Sequence, residues 1–211
     1  MKIGIIGSGT VATTLAAGFV KHGHEVMLGT RDPAKLAAFT AANPKARAGS
    51  VADAAGFAEL AVLAVKGGAA IDAVRGVAAQ LAGKTVIDTC NPIADAPPVD
   101  GVFQYFTGPN DSLMERLQGA YPALKFVKAF NSVGAVRMVN PQLAGGPPTM
   151  FIAGDDAAAK AQVAAVLEQF GWGVADMGRA VAARAIEPLC MLWCIPGLLN
   201  NQWTHAFKLL R

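Results

Sequence analysis

The stretch that decides the fold is KIGIIGSGTVA, residues 2–12. A short apolar run leads to a G-x-G-x-x-A spacing that begins at Gly7, and a segment rich in Ala, Leu and Val follows it. In such a turn Gly7 allows the tight bend, Gly9 lets the backbone approach a pyrophosphate, and Ala12 lets helix and strand pack closely. The helix amino terminus supplies N–H donors and a favourable dipole for phosphates. The stretch therefore predicts a strand–turn–helix unit that binds a dinucleotide.

Strand and helix signals continue to alternate beyond this unit. The expected strands cover residues 2–6, 25–28, 46–48, 60–65, 85–88, 126–130, 149–153 and 174–176. Alternation of this kind is typical of βαβ units and a parallel sheet. We therefore predict an α/β fold of the Rossmann type, a doubly wound, mainly parallel sheet of about eight strands with helices on both faces. One domain is expected over residues 1–211, with 1–93 as the first nucleotide-binding half and 94–211 as the second.

Composition and charge narrow the functional classes. Hydrophobic residues make up 53% of the chain and charged residues 16%, which suits a sheet buried on both faces and excludes a disordered chain. The net charge of +3 is spread without Lys/Arg runs, so no nucleic-acid surface is expected. The three cysteines show no paired spacing and Met1 leads directly into an apolar strand, so we expect a cytoplasmic setting.

Two later segments stand out. The Pro-rich stretch 91–109 is expected to be a long loop, and long loops tend to be functional. The segment from Val181 to the carboxyl terminus is mostly apolar and is expected to be helical, either as a homodimer surface or as core. Its longest apolar run, Pro188–Leu199, is too short for a membrane span, so none is expected. Cys190 and Cys194 share a helical face without further ligands, so no metal site is predicted.

The end of the second strand indicates which dinucleotide binds. An acidic residue there is typical of NAD sites, whereas NADP sites need cationic and hydroxyl groups around the 2′-phosphate. Here Thr30 and Arg31 follow Gly29, and Lys35 lies one turn into the next helix. Asp32 precedes a proline, so its side chain is expected to cap that helix. The pattern predicts NADP(H).

Three segments together resemble one known family. They are Gly7 to Lys35, the run VKAFNS at residues 127–132 and the run AIEPL at residues 185–189. With them the whole chain resembles NADPH-dependent coenzyme F420 reductases and the related cytoplasmic oxidoreductase domain of the STEAP metalloreductases. The resemblance implies hydride transfer between NADPH and a flavin or deazaflavin.

The resemblance also implies site residues. Asn131 would face the nicotinamide, at a position where F420 reductases more often carry histidine. The residues expected to hold the cofactor are Gly7, Ser8, Gly9, Thr10, Val11, Thr30, Arg31, Lys35, Val65, Lys66, Asn91 and Pro92. The residues expected to line the nicotinamide and acceptor site are Asn131, Ser132, Met191, Leu192 and Trp193.

We therefore expect an NADP-dependent oxidoreductase whose acceptor is a small molecule such as FMN, FAD or F420. Two cofactor rings held at reactive distance need no catalytic triad, and no catalytic residue is assigned. An NADPH-dependent imine or ketone reductase, of the pyrroline-5-carboxylate reductase or β-hydroxyacid dehydrogenase type, is one alternative. A non-catalytic NADP(H) sensor or partner subunit is the other.

Overall fold

The computed structural model describes residues 1–210 as one eight-stranded sheet flanked by helices. The strands are β1 (Lys2–Ile6), β2 (Glu25–Gly29), β3 (Ala46–Gly49), β4 (Leu60–Leu63), β5 (Thr85–Asp88), β6 (Lys125–Lys128), β7 (Thr149–Gly154) and β8 (Gly173–Asp176). The α-helices are α1 (Thr10–Lys21), α2 (Ala37–Ala42), α3 (Val51–Phe57), α4 (Ala70–Arg75), α5 (Ala78–Leu81), α6 (Leu113–Ala120), α7 (Ala157–Gln169), α8 (Ala183–Ile186) and α9 (Pro188–Asn200). Short 3-10 turns precede α2, α4 and α8.

The strand order is β3-β2-β1-β4-β5-β6-β7-β8, and the pairs are parallel except β6 with β7. The first six positions follow the order of a doubly wound dinucleotide-binding sheet, in which ligands bind where the strand order reverses. That reversal lies between β1 and β4, beside the glycine turn. The predicted Rossmann-type fold is confirmed.

Alternation of side chains along the strands produces two apolar cores, one on each face of the sheet. Ile3 and Ile5 of β1 point into the core covered by α1 and α7, whereas Ile6 points into the core that includes α4 and α6. Strands buried on both faces explain why the sequence shows apolar runs rather than alternation.

The expected loop 91–109 contains a small β-hairpin. Val99 and Val102 exchange both backbone hydrogen bonds, at 3.0 and 2.9 Å, around Asp100 and Gly101. Both turn residues have positive φ, 48° and 77°, which is the type I′ geometry that Asp-Gly favours. The tip lies against α9, because a Cβ added at Gly101 would be 2.8 Å from Cγ of Leu199.

The carboxyl terminus differs from the expected helix. α9 ends at Asn200, and Asn201 has a left-handed conformation that closes it. Residues 201–210 carry no regular secondary structure, and the N–H of Thr149 donates to the carbonyl of Phe207 at 2.9 Å. The ring of Trp203 packs so closely on Gly197 that a Cβ there would be 2.3 Å away. The expectation of a helix to the end was therefore wrong, because Asn201 turns the chain back.

One helical stretch among the described residues, Ala180–Asn200, has the length and composition that could cross a membrane. It is longer than the apolar run counted in the sequence, because α8 and α9 are continuous through Glu187. Apolar helices in the core of a folded domain meet the same test. Glu187 is 1% exposed and pairs with Lys128 of the sheet. The absence of a membrane span stays a prediction.

Candidate functional site

The glycine turn after β1 begins a groove along the carboxyl ends of the strands. Gly7 has φ +138°, and a Cβ there would lie 2.2 Å from the carbonyl oxygen of Ala64. A Cβ at Gly9 would meet nothing within 4 Å, and no side chain caps α1 at this residue. The turn therefore requires glycine at Gly7 for its own conformation and presents an open backbone surface at Gly9, as expected for a phosphate-binding turn.

Two adjoining cavities form this groove. One of about 610 Å³ runs from the turn towards Lys35, and one of about 690 Å³ runs towards Asn91. Both are lined by Gly9, Ala64, Val65 and Ala69, so they are continuous. Of the expected cofactor residues, those that line the groove are Gly7, Ser8, Gly9, Thr10, Val11, Thr30, Arg31, Lys35, Val65, Lys66 and Asn91. Pro92 is buried and does not.

The end of the groove that is predicted to hold the 2′-phosphate, called the phosphate end below, lies beyond β2. The Thr30 hydroxyl donates to the hydroxyl of Ser8 at 3.2 Å, which links it to the glycine turn. Arg31 is exposed, and within residues 1–210 it has no carboxylate within 4 Å. The ammonium of Lys35 lies 3.8 Å from the Asp32 carboxylate. Two cations and a hydroxyl thus stand where the sequence places the 2′-phosphate.

The expected role of Asp32 as a side-chain cap was wrong. Its carboxylate makes no capping hydrogen bond, because residues 33–36 form a 3-10 turn. In that turn the N–H of Lys35 donates to the backbone carbonyl of Asp32 at 3.3 Å. The carboxylate faces the Lys35 ammonium instead.

The other end of the groove, where the nicotinamide is expected and which is called the nicotinamide end below, includes residues that the sequence did not single out. Besides Ala64, Gly67, Gly68 and Ala69, they are Thr89, Cys90, Ile93, Ala94, Asp95 and Phe106. The last four belong to the stretch 91–109, so its predicted length and proline content were the available signal. Burial, and next the Asp88 carboxylate, raise the pKa of the Cys90 thiol, which stays protonated and 3.6 Å from the Leu63 carbonyl oxygen.

Asn131 lies beneath this end of the groove. Its side chain is 3% exposed and donates to Oδ1 of Asn91 at 3.2 Å and to the carbonyl of Ile186 at 2.9 Å. Asn91 donates in return to the Asn131 carbonyl at 2.9 Å. Ser132 is also buried. The structure therefore brings Asn131 to the groove through Asn91, and Oδ1 of Asn131 has no hydrogen-bond partner among the described residues.

The three neighbouring residues proposed for the acceptor side point in different directions. Met191 lines a separate cavity of about 270 Å³ with Tyr105 and Arg184. Leu192 is 55% exposed, whereas Trp193 is 5% exposed and stacks on His205. None of the three lines the groove. Their part in acceptor binding stays a prediction.

A buried charge cluster lies on the sheet below Cys90. The Lys128 ammonium is 2.6 Å from the Asp88 carboxylate and 2.8 Å from that of Glu187, and the Lys128 side chain is 0% exposed. Burial alone lowers the pKa of Lys128, but the two carboxylates outweigh it and raise the pKa above its usual range. Glu187 also accepts from the N–H groups of Leu113 and Met114 at 2.9 and 3.0 Å. The cluster joins β5, β6, α6 and the C-terminal segment.

No group of three or more His, Cys, Asp or Glu side chains within residues 1–210 is arranged to hold a metal ion. Cys190 and Cys194 are buried free thiols. The neighbouring Cys194 thiol lowers the pKa of the Cys190 thiol. Both pack in a small apolar cluster with Phe103, Tyr105 and the indole rings of the carboxyl terminus.

A doubly wound sheet, a glycine turn and a groove ending in cationic groups define the class as an NADP-dependent oxidoreductase. The model of the family described as NADP oxidoreductase, coenzyme F420-dependent, matches residues 2–92, and the chain belongs to this family because a relative named for the same activity is 37% identical over both complete chains. A solved structure from Arthrobacter sp. FB24, provisionally named an F420-dependent NADP-reductase, is 37% identical, covers both chains completely and superposes with a TM-score of 0.92.

Two further proteins are similar to this chain at lower sequence identity. Metalloreductase STEAP3 of Rattus norvegicus is 32% identical over 94% of this chain, which spans 39% of the length of that protein. An imine reductase of Streptomyces aurantiacus is 18% identical, with 94% of this chain and 63% of that chain covered, and a TM-score of 0.69. The second similarity shows the fold alone.

Proposed function

We propose that the chain transfers a hydride between NADP(H) and a flavin or a deazaflavin such as F420. The observation that carries the proposal is the continuous groove, which joins the glycine turn and Arg31 at one end to Cys90 and Asn91 at the other. The name of the Arthrobacter relative supports a deazaflavin acceptor, and the name of the rat relative supports a reductase function. Bound NADPH supplies the hydride.

In this proposal the residues of the chain bind and orient the cofactor and exclude water from the site. The turn N–H groups at the start of α1 hold the pyrophosphate, and Arg31 and Lys35 hold the 2′-phosphate. Asn91, fixed by its hydrogen bonds with Asn131, limits the nicotinamide end. Ile93 and Phe106 give that end an apolar wall, which excludes water from the transfer.

The experiment is an anaerobic assay of NADPH oxidation with FMN, FAD, riboflavin and F420 in turn. We expect loss of NADPH absorbance with at least one of them, and far slower oxidation of NADH. Lack of NADPH oxidation with all four acceptors would overturn the proposal. The same assay with a cyclic imine and a ketone tests the alternative reductase, and tight NADPH binding without turnover would favour the sensor.

The proposal extends to the cellular setting. We propose a reducing, cytoplasmic compartment, which the three buried free cysteines support. Intact-mass measurement with and without reductant checks it, since a disulfide in protein isolated from its native cell would contradict it.

A further inference from the structure

The cluster of Lys128, Asp88 and Glu187 has no part in the function proposed above. Two carboxylates and one ammonium are buried together, and such clusters are often replaced by apolar side chains without loss of stability. Stability alone is therefore a weak reason for three charges under a sheet. The hydrogen bonds that leave the cluster point to another role.

Those bonds lead directly to the groove. The Lys128 ammonium donates to the carbonyl of Cys90 at 2.8 Å, and the N–H of Cys90 donates to Oδ1 of Asp88 at 2.9 Å. The cluster thus binds both backbone polar groups of Cys90, a residue that lines the groove. The charge cluster therefore fixes the backbone conformation of the chain directly after β5.

The next residue carries this constraint to the nicotinamide end. Asn91 exchanges hydrogen bonds with Asn131, whose amide also donates to the carbonyl of Ile186. Ile186 precedes Glu187, which pairs with Lys128. The contacts therefore form a closed ring that runs from Lys128 through Cys90, Asn91, Asn131, Ile186 and Glu187 back to Lys128. The phosphate end of the groove has no member in this ring.

We propose that Lys128 is a positioning residue, whose ammonium fixes Cys90 and thereby Asn91 against the nicotinamide. The inference rests on the proposed NADP(H) site. Loss of the ammonium frees the Cys90 carbonyl and leaves two carboxylates facing each other. The nicotinamide end then shifts while the 2′-phosphate end keeps its geometry.

Two variants of the full chain test this role. Lys128→Met removes the ammonium but leaves two buried carboxylates, which can prevent folding. The triple variant Lys128→Met, Asp88→Asn, Glu187→Gln removes all three charges at similar size and keeps an oxygen for the Cys90 N–H. Lys160→Met is the matched control, because Lys160 likewise bonds a carboxylate, Asp176, and a backbone carbonyl, outside the groove.

The measurements compare NADPH with 2′,5′-ADP, which has the 2′-phosphate but no nicotinamide, by calorimetry, and record the emission of bound NADPH. We expect the triple variant to bind 2′,5′-ADP within twofold of the wild type. Its preference for NADPH over 2′,5′-ADP should fall at least tenfold, with nicotinamide emission shifted towards that of free NADPH. The Lys160→Met control should match the wild type in all three.

An unchanged preference in the folded triple variant, whether both affinities stay the same or fall in parallel, would overturn the inference. Failure of the triple variant to fold, or a wild type without preference for NADPH, would overturn it as well. These measurements need no acceptor. A wild type that binds NADPH but reduces no flavin therefore contradicts the proposed reaction and leaves the role of Lys128 standing.

Discussion

The two ends of the groove are built in different ways. The phosphate end consists of a glycine turn and exposed cations that lie close together in sequence, from Gly7 to Lys35. The nicotinamide end is assembled from distant segments, in which Asn91 meets Asn131 and Lys128 meets Glu187. A local motif thus builds the end proposed to select the cofactor, and long-range contacts build the end proposed to hold its reactive ring.

The largest effect is expected from Gly7→Ala. A Cβ there would be 2.2 Å from the Ala64 carbonyl oxygen, and φ +138° is strained for any side chain. We expect affinity for NADPH and NADH to fall more than about 100-fold together, with stability lowered by about 1–3 kcal/mol. Fluorescence titration and thermal unfolding measure both effects. Gly9→Ala is the control, since its open surroundings should leave stability nearly unchanged while binding weakens; equal stability of the two variants would contradict the distinction.

Arg31→Glu should separate the two dinucleotides. Loss of charge-assisted bonds to the 2′-phosphate, with a repelling carboxylate in their place, should raise the Kd for NADPH roughly 100-fold. The Kd for NADH should change only a few-fold, because NADH lacks that phosphate. Calorimetry with both cofactors measures this, and Lys45→Glu, an exposed charge outside the groove, is the control. Equal losses for both cofactors would refute the assignment of Arg31.

Leu192→Glu tests the proposed homodimer through the C-terminal segment. Leu192 and Leu199 on α9 are 55% and 57% exposed, and Val99 and Val102 of the adjacent hairpin are also exposed. We expect the wild type to be dimeric and the variant to dissociate at least about tenfold more readily, because burial of a charge is unfavourable. Light scattering after size exclusion measures the mass. Val136→Glu is the control, because Val136 is an exposed apolar residue outside this surface, and this variant should stay dimeric. A monomeric wild type would contradict the proposal.

Gly101→Ala should give the smallest effect. Gly101 has φ +77° and touches Leu199, so a methyl group strains the hairpin and pushes it from α9. We expect a loss of stability of about 1 kcal/mol and unchanged affinity for 2′,5′-ADP, because the phosphate end does not contact the hairpin. Gly108→Ala, in the same loop with open surroundings and no positive φ, should be neutral. A fall in 2′,5′-ADP affinity would show that the two ends are coupled.

The turn, the helix start and the cationic groups at the phosphate end could be predicted because their signals are local. The turn at Gly7, the start of α1 and the groups beside Arg31 follow from spacing within one βαβ unit. The strands were placed to within a few residues for the same reason. The Asp32 cap was wrong because a 3-10 turn and an α-helix share the same starting residues, and the sequence does not distinguish them.

The nicotinamide end could be anticipated only in outline. Lys128 in an apolar strand requires a partner, but neither Asp88 nor Glu187 is near it in sequence. The orientation of Met191, Leu192 and Trp193 depends on how α9 packs against the hairpin, which helical spacing does not reveal. The tail turns back at Asn201, which has a left-handed conformation. Asparagine tolerates this conformation but does not require it, so the sequence alone does not predict the turn.

The three buried thiols allow local opening of the fold to be measured in two regions. Cys90 lies at the floor of the groove, whereas Cys190 and Cys194 lie under the hairpin and the C-terminal tail. A thiol reagent reaches each one only when its own region opens, so labelling rates compare the opening of the two regions without any engineered probe. Bound cofactor should slow the labelling of Cys90 most, because Cys90 is the one of these three thiols that lines the groove and the cofactor would block the reagent's access to it.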